Sequence, residues 1–135
     1  MPFPALTPQD LVATTKSNIR ETNPDRLLAL QSSGAPVKDV REPAEFVAGH
    51  LLGAVNIPRG VLEFEVDGHP AVNYQQDPAL AHRDQPVVLH CRSGGRSSLA
   101  AEALQRLGFS EPLSLAGDFN GWAAAARDVA DGVAP

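Results

Sequence analysis

Cysteine is almost absent from this sequence, Cys91 being the single one in 135 residues. No intramolecular disulfide can form, which excludes the disulfide-stapled class of secreted domains and favours a reducing compartment. Basic residues are scarce as well. Eleven Lys plus Arg against 16 Asp plus Glu leave a formal charge of −5 and a pI near 5.2, a balance that argues against a nucleic-acid backbone or an anionic membrane as the main partner. Aromatic residues make up 5% and are not interleaved with basic ones in the way single-stranded nucleic-acid binding needs. No apolar run approaches the length that spans a bilayer, and the opening residues, MPFPALTPQDLVATTK, lack the basic-then-apolar pattern of a signal peptide. The expectation is a soluble cytoplasmic protein with neither nucleic acid nor membrane as partner.

What is present fits one compact domain over residues 1–135, with 43% hydrophobic and 20% charged residues. A domain of this length buries roughly two-thirds of the surface its unfolded chain exposes, enough for a core without staples. Twelve prolines and 11 glycines are spread along the chain, so the elements are short. Thr7-Pro8 reads as a helix start with Thr7 as cap, and Asn23-Pro24 as a second, its apolar cluster Leu27, Leu28 and Leu30 ending at Ser32-Ser33-Gly34. Residues 1–35 are thus expected to be a helical N-terminal extension. Pro36–Val40 reads as a brief strand, Pro43–Gly49 as one or two helical turns, Ala54–Ile57 as a strand and Gly60–Phe64 as a short helix. Val66–Gln85, rich in turn chemistry, reads as a long connection.

The clearest unit starts at Val87-Val88-Leu89, a continuous apolar run suited to a parallel strand buried on both faces. It passes through His90-Cys91-Arg92-Ser93-Gly94-Gly95-Arg96-Ser97 into a segment whose Leu99, Ala103, Leu104 and Leu107 share a helical face and whose stop is Gly108. Leu113–Leu115 is a last strand, and Phe119–Arg127, with Trp122, a last helix. Alternating strands and helices make the class α/β, with a small, open, mainly parallel sheet flanked by helices.

This arrangement puts Cys91 at the carboxyl end of the sheet, beneath loop N–H groups and the positive end of a helix, where negative charge on sulfur is favoured. Arg92 and Arg96 are the only formally charged residues between Asp84 and Glu102, so the one thiol has a locally cationic setting. Gly94 and Gly95 suit an anion-binding nest in which a Cβ would be in the way. The plainer readings are a small buried cysteine and ordinary turn glycines. Neither explains why two arginines flank the thiol.

HCRSGGRS resembles the active-site loop of the rhodanese-like sulfurtransferases. The resemblance extends to DVREPAEF at 39–46, Gly49-His50, GAVNIP at 53–58, and Leu115-Ala116-Gly117 followed by Trp122, and is strongest over residues 36–126. It implies a sheet of about five strands and a two-step reaction in which Cys91 takes a sulfane sulfur from thiosulfate or a related small anionic donor. The resulting persulfide passes it to a thiol, to cyanide or to a protein acceptor. Loop amides and Arg96 would hold the donor and then the persulfide. Arg92, Ser93, Gly94, Gly95, Arg96 and Ser97 are the expected substrate-binding residues, with Arg59 at the rim if it is not simply a solvated surface charge. Asp39 and Arg41 are expected to support the loop from behind or to serve only as scaffold. No second cysteine can resolve the persulfide internally, so the acceptor is external.

Related phosphatases and arsenate reductases place five residues between cysteine and arginine, whereas Cys91 and Arg96 have four between them. The shorter ring suits one added sulfur atom. Phosphatase chemistry, and a non-enzymatic persulfide carrier or binding module, are the alternatives. His50 reads as a hydrogen-bonded structural residue, and the four histidines show no metal-ligand spacing, so neither metal nor other cofactor is expected. Lys38, where the family has an apolar strand residue, suggests an edge strand or a shifted register. Asp118 replaces the second glycine of the family's Gly-Gly, either capping the last helix or placing a negative charge near the pocket.

Overall fold

The computed structural model describes residues 4–66, 83–117 and 129–130. Helix α1 (Pro8–Lys16) starts where the Thr7 side chain accepts a hydrogen bond from the Asp10 N–H and the Asp10 carboxylate accepts one from the Thr7 N–H. After it come β1 (Arg20–Thr22), α2 (Pro24–Ser32), capped by Asn23, and β2 (Val37–Asp39). The chain continues through α3 (Pro43–Ala48), β3 (His50–Leu51), β4 (Val55–Asn56), a 3-10 turn at Arg59–Val61 and α4 (Leu62–Glu65). Beyond the long connection lie β5 (Val87–His90), α5 (Gly95–Arg106), β6 (Pro112–Leu115) and β7 (Val129–Ala130).

Five parallel strands form the main sheet in the order β1-β6-β5-β2-β4, with β5 at the centre, and β3 pairs antiparallel with β7. The α/β class and the parallel five-stranded sheet therefore agree with the sequence reading. Each residue of β5 is buried, as its unbroken apolar run requires, because helices cover both faces. Strand alternation divides the core: Val87, Leu89 and Cys91 join Ala100, Ala101 and Leu104 of α5 on one face, while Val88 joins Leu27, Phe46 and Leu51 on the other.

Two readings need correction. Arg20–Thr22 is a strand, so residues 1–35 are not wholly helical. Register with Leu113–Leu115 recruits this three-residue stretch, and no local signal announces it. Strand β2 is interior, lying between β5 and β4, so Lys38 marks neither an edge nor a slipped register. Lys38 is instead half-buried, and desolvation lowers its ammonium pKa. The β3–β7 pair has no counterpart in the sequence reading. Asp118, the helix expected over Phe119–Arg127 and most of the connection expected over Val66–Gln85 lie outside the described residues.

Behind the carboxyl end of the sheet, Asp39 and Arg41 form a buried pair. The Arg41 guanidinium donates to both Asp39 oxygens at 2.8–3.2 Å and to the Gly49 carbonyl at 2.7 Å, and the Arg41 N–H caps Asp39 Oδ1 at 3.0 Å. Asn56 Nδ2 donates to the carbonyls of both residues at 3.0 Å, which fastens β4 to the turn after β2. Burial alone would raise the Asp39 carboxyl pKa, but the neighbouring His90 imidazole and the hydrogen bonds from Arg41 outweigh it and hold the group at about 2, below its ordinary 3.8. The stability it contributes is therefore complete above about pH 4 and lost as pH falls from there towards 2. Asp39→Asn leaves the Arg41 charge buried without its counter-ion and is expected to cost about 3–5 kcal/mol in urea unfolding at neutral pH.

Candidate active site

The sheet delivers Cys91 to the site. Strand β5 ends at His90, and Cys91, with 2% of its surface exposed, follows on the α5 face of the sheet. The chain then turns through Gly94, whose φ of 97° lies in the left-handed region that a β-carbon disfavours. That conformation aims the Gly94 N–H at the sulfur, with N to Sγ 3.0 Å. The Gly94 peptide is itself held, since Ser98 Oγ donates to its carbonyl. Helix α5 begins at the next residue and runs for 12 residues, so its positive end also faces the sulfur.

A second polar chain reaches Cys91 from below. Ser97 Oγ stands 3.3 Å from Sγ and 2.8 Å from Ser114 Oγ on β6, and both serines are fully buried. Each hydroxyl has one proton to give. The Cys91 thiol donates to Ser97 Oγ; when the sulfur is anionic and Ser114 donates to Ser97, the Ser97 proton is free to point back at the sulfur.

Two of the arginines are held by carboxylates. Arg96 turns to Glu45 of α3, donating to its two oxygens at 2.7 and 3.1 Å, while Glu45 Oε1 also accepts the Glu42 N–H at 3.0 Å. The Arg96 hydrogen bonds hold the Glu45 carboxyl at about 2, against an ordinary 4.5, and Glu45 in turn raises the Arg96 pKa. This pair's contribution is complete above pH 4.5 and fades towards pH 2. Arg59 pairs with Glu63 at 2.9 Å and lines a groove with Leu99 and Ala103 on the outer side of α5. No hydrogen bond or ion pair among the described residues joins it to the Cys91 loop. Arg92 and Ser93 are exposed on the loop, and Gly95 opens the helix.

Behind the loop, the buried His90 places Nδ1 3.6 Å from Asp39 Oδ2, which couples the residue before Cys91 to the Asp39–Arg41 pair. His50 stacks on Phe46 at 3.6 Å and bonds its carbonyl through Nδ1 at 2.8 Å, the structural role expected of it. Two residues of the site went unassigned in the sequence. Glu45 lies within the DVREPAEF block but is revealed as a partner of Arg96 only by the packing of α3 against the loop. Ser114 gave a fainter sign, as a lone hydroxyl in an otherwise apolar strand.

The Rhodanese-like domain profile matches residues 23–125. The chain belongs to this family. A relative named thiosulfate sulfurtransferase GlpE, from Pseudomonas entomophila, is 32% identical over 106 residues, which is 78% of this chain and 86% of the relative. The human single-domain sulfurtransferase TSTD1 superposes with a TM-score of 0.64 at 30% identity, covering 77% of this chain and 95% of its own. A Rhodopseudomonas palustris protein described as a possible tyrosine phosphatase superposes with a TM-score of 0.74 at 27% identity, over 96% of this chain and 99% of that one. In this rhodanese-like domain the Ser97 hydroxyl is the side-chain group nearest to serving the sulfur. Ser97→Ala is expected to slow alkylation of Cys91 by iodoacetamide at neutral pH about tenfold, the worth of one hydrogen bond to a charged group, with a cooperative unfolding transition retained.

Proposed function

We propose that this rhodanese-like domain is a sulfurtransferase that moves a sulfane sulfur from thiosulfate, or a related small anionic donor, to an external thiol, cyanide or protein acceptor. The observation that carries the proposal is the Gly94 N–H directed at Cys91 Sγ from 3.0 Å, at the positive end of α5. Such a sulfur is stabilised whenever it bears negative charge, as a thiolate and as a persulfide. In the first step the Cys91 thiolate attacks the outer sulfur of thiosulfate. A new S–S bond forms, the old one breaks, and sulfite leaves with the electron pair. In the second step cyanide takes the outer sulfur as thiocyanate and the thiolate returns, or an acceptor thiolate takes it as a persulfide. Charge balances in both steps, and no redox partner is needed.

In this reading Cys91 is the nucleophile and Arg92, Ser93, Gly94, Gly95 and Ser97 form the cradle for donor and persulfide. Arg96 holds the cradle to α3 through Glu45 while adding positive potential. Arg59, turned to Glu63 on the outer side of α5, receives no role. The names of the Pseudomonas and human relatives support sulfur transfer. The description of the Rhodopseudomonas neighbour favours phosphatase chemistry as the second reading. Against it stand the four residues between Cys91 and Arg96 and the engagement of Arg96 by Glu45, which leave the ring better suited to one sulfur atom than to a phosphoryl group.

Thiocyanate formation from thiosulfate and cyanide, measured beside hydrolysis of an aryl phosphate, separates the readings. Turnover with the first pair, abolished by Cys91→Ser, is expected. Phosphate release without thiocyanate would replace the proposal by the phosphatase reading, and a single loading without turnover would indicate a carrier.

A further inference from the structure

Helix α1 lies ahead of the residues that match the family profile, and it packs onto the Cys91 loop. A β-carbon on Gly95 would stand 3.6 Å from Val12 Cγ2, and one on Gly94 would stand 3.6 Å from Lys16 Nζ and 3.9 Å from Lys16 Cε. Thr15 is buried, and Gln105, near the far end of α5, donates to the Asn18 carbonyl at 3.2 Å, so the chain at the end of α1 is tied to α5. Gly94 N is 3.0 Å from Cys91 Sγ. Joined through the Gly94 backbone, these distances put the Lys16 ammonium within about 9 Å of the sulfur.

Lys16 also differs from the arginines around it. Arg41, Arg59 and Arg96 are each paired with a carboxylate, whereas the Lys16 ammonium makes no hydrogen bond or ion pair among the described residues. In-line attack on thiosulfate places the leaving sulfonate on the far side of the transferred sulfur, two S–S lengths or about 4 Å from Sγ. A charge-assisted hydrogen bond to its oxygens then brings a cation to roughly 7 Å or more from Sγ. The Lys16 ammonium lies within that reach of the sulfur, in a chain whose formal charge is −5.

We propose that Lys16 is a donor-binding residue, its ammonium receiving the sulfonate end of a dianionic donor while the Gly94 amide holds the sulfur under attack. The inference rests on the sulfurtransferase reading and adds to it that α1 forms part of the donor site and selects for donors carrying a terminal sulfonate. The competing role is local: a lysine in the last turn offsets the negative end of its own helix, which would affect stability alone.

The test uses the full chain, with Lys16→Met keeping most of the apolar stem and Lys16→Arg keeping the charge. Lys16→Met is expected to lower kcat/KM for thiosulfate about tenfold, the loss of one charge-assisted contact, and Lys16→Arg to restore most of it. Discharge of the preformed persulfide by dithiothreitol, an uncharged acceptor, should be unchanged in both variants. Unchanged kcat/KM for thiosulfate in Lys16→Met would overturn the inference, as would equal losses in both variants or a parallel fall in persulfide discharge. Absence of thiocyanate formation by the unaltered chain would overturn the sulfurtransferase reading, and this inference with it.

Discussion

The contact between the Gly94 amide and the Cys91 sulfur organises this molecule. It exists because β5 ends one residue before the cysteine, because Gly94 adopts a left-handed backbone, and because α5 starts immediately afterwards. Each of these rests on something further away. The central place of β5 follows from its unbroken apolar run, and α5 is held down by Ala100, Ala101 and Leu104 packed against Val87 and Leu89 on the same face as the sulfur. Core packing and the placement of the Cys91 sulfur are therefore one arrangement.

Two ion pairs brace that arrangement from different sides. The Asp39–Arg41 pair is fully desolvated and multiply hydrogen-bonded, and it locks the turn after β2 beside His90. Its value lies in geometry, since a buried pair contributes little net stability but is costly to break. The Glu45–Arg96 pair is half-exposed, and its effect is positional: it anchors the helical end of the loop to α3 and fixes a guanidinium near the sulfur without pointing it there. The remaining polar element, Ser97 with Ser114, brings two linked hydroxyls to the sulfur, Ser97 Oγ accepting from the Cys91 thiol.

Much of this was legible in the sequence, because the signals are local. An apolar run, a cysteine, two glycines and a helical stripe follow one another directly, so β5, the loop and α5 could be read as a unit. Caps at Thr7 and Asn23 marked α1 and α2 for the same reason. What could not be read depends on distant pairing. Arg20–Thr22 becomes a strand only through β6, and Lys38 is tolerated between two strands. Arg59 reads either as a rim residue or as a solvated surface charge and Arg96 as a donor-binding residue; what the sequence does not reveal is the carboxylate each pairs with, Glu63 four residues along the chain and Glu45 on another helix. Lys16 carried no sequence signal, since its place at the loop is set by how α1 packs on α5.

The central claim is that Cys91 carries the transferred sulfur, and intact mass of the reduced chain before and after thiosulfate tests it most directly. The account predicts a gain of one sulfur atom, absent in Cys91→Ser and removed by cyanide. An unchanged mass, with Cys91 still open to alkylation at neutral pH, would contradict it.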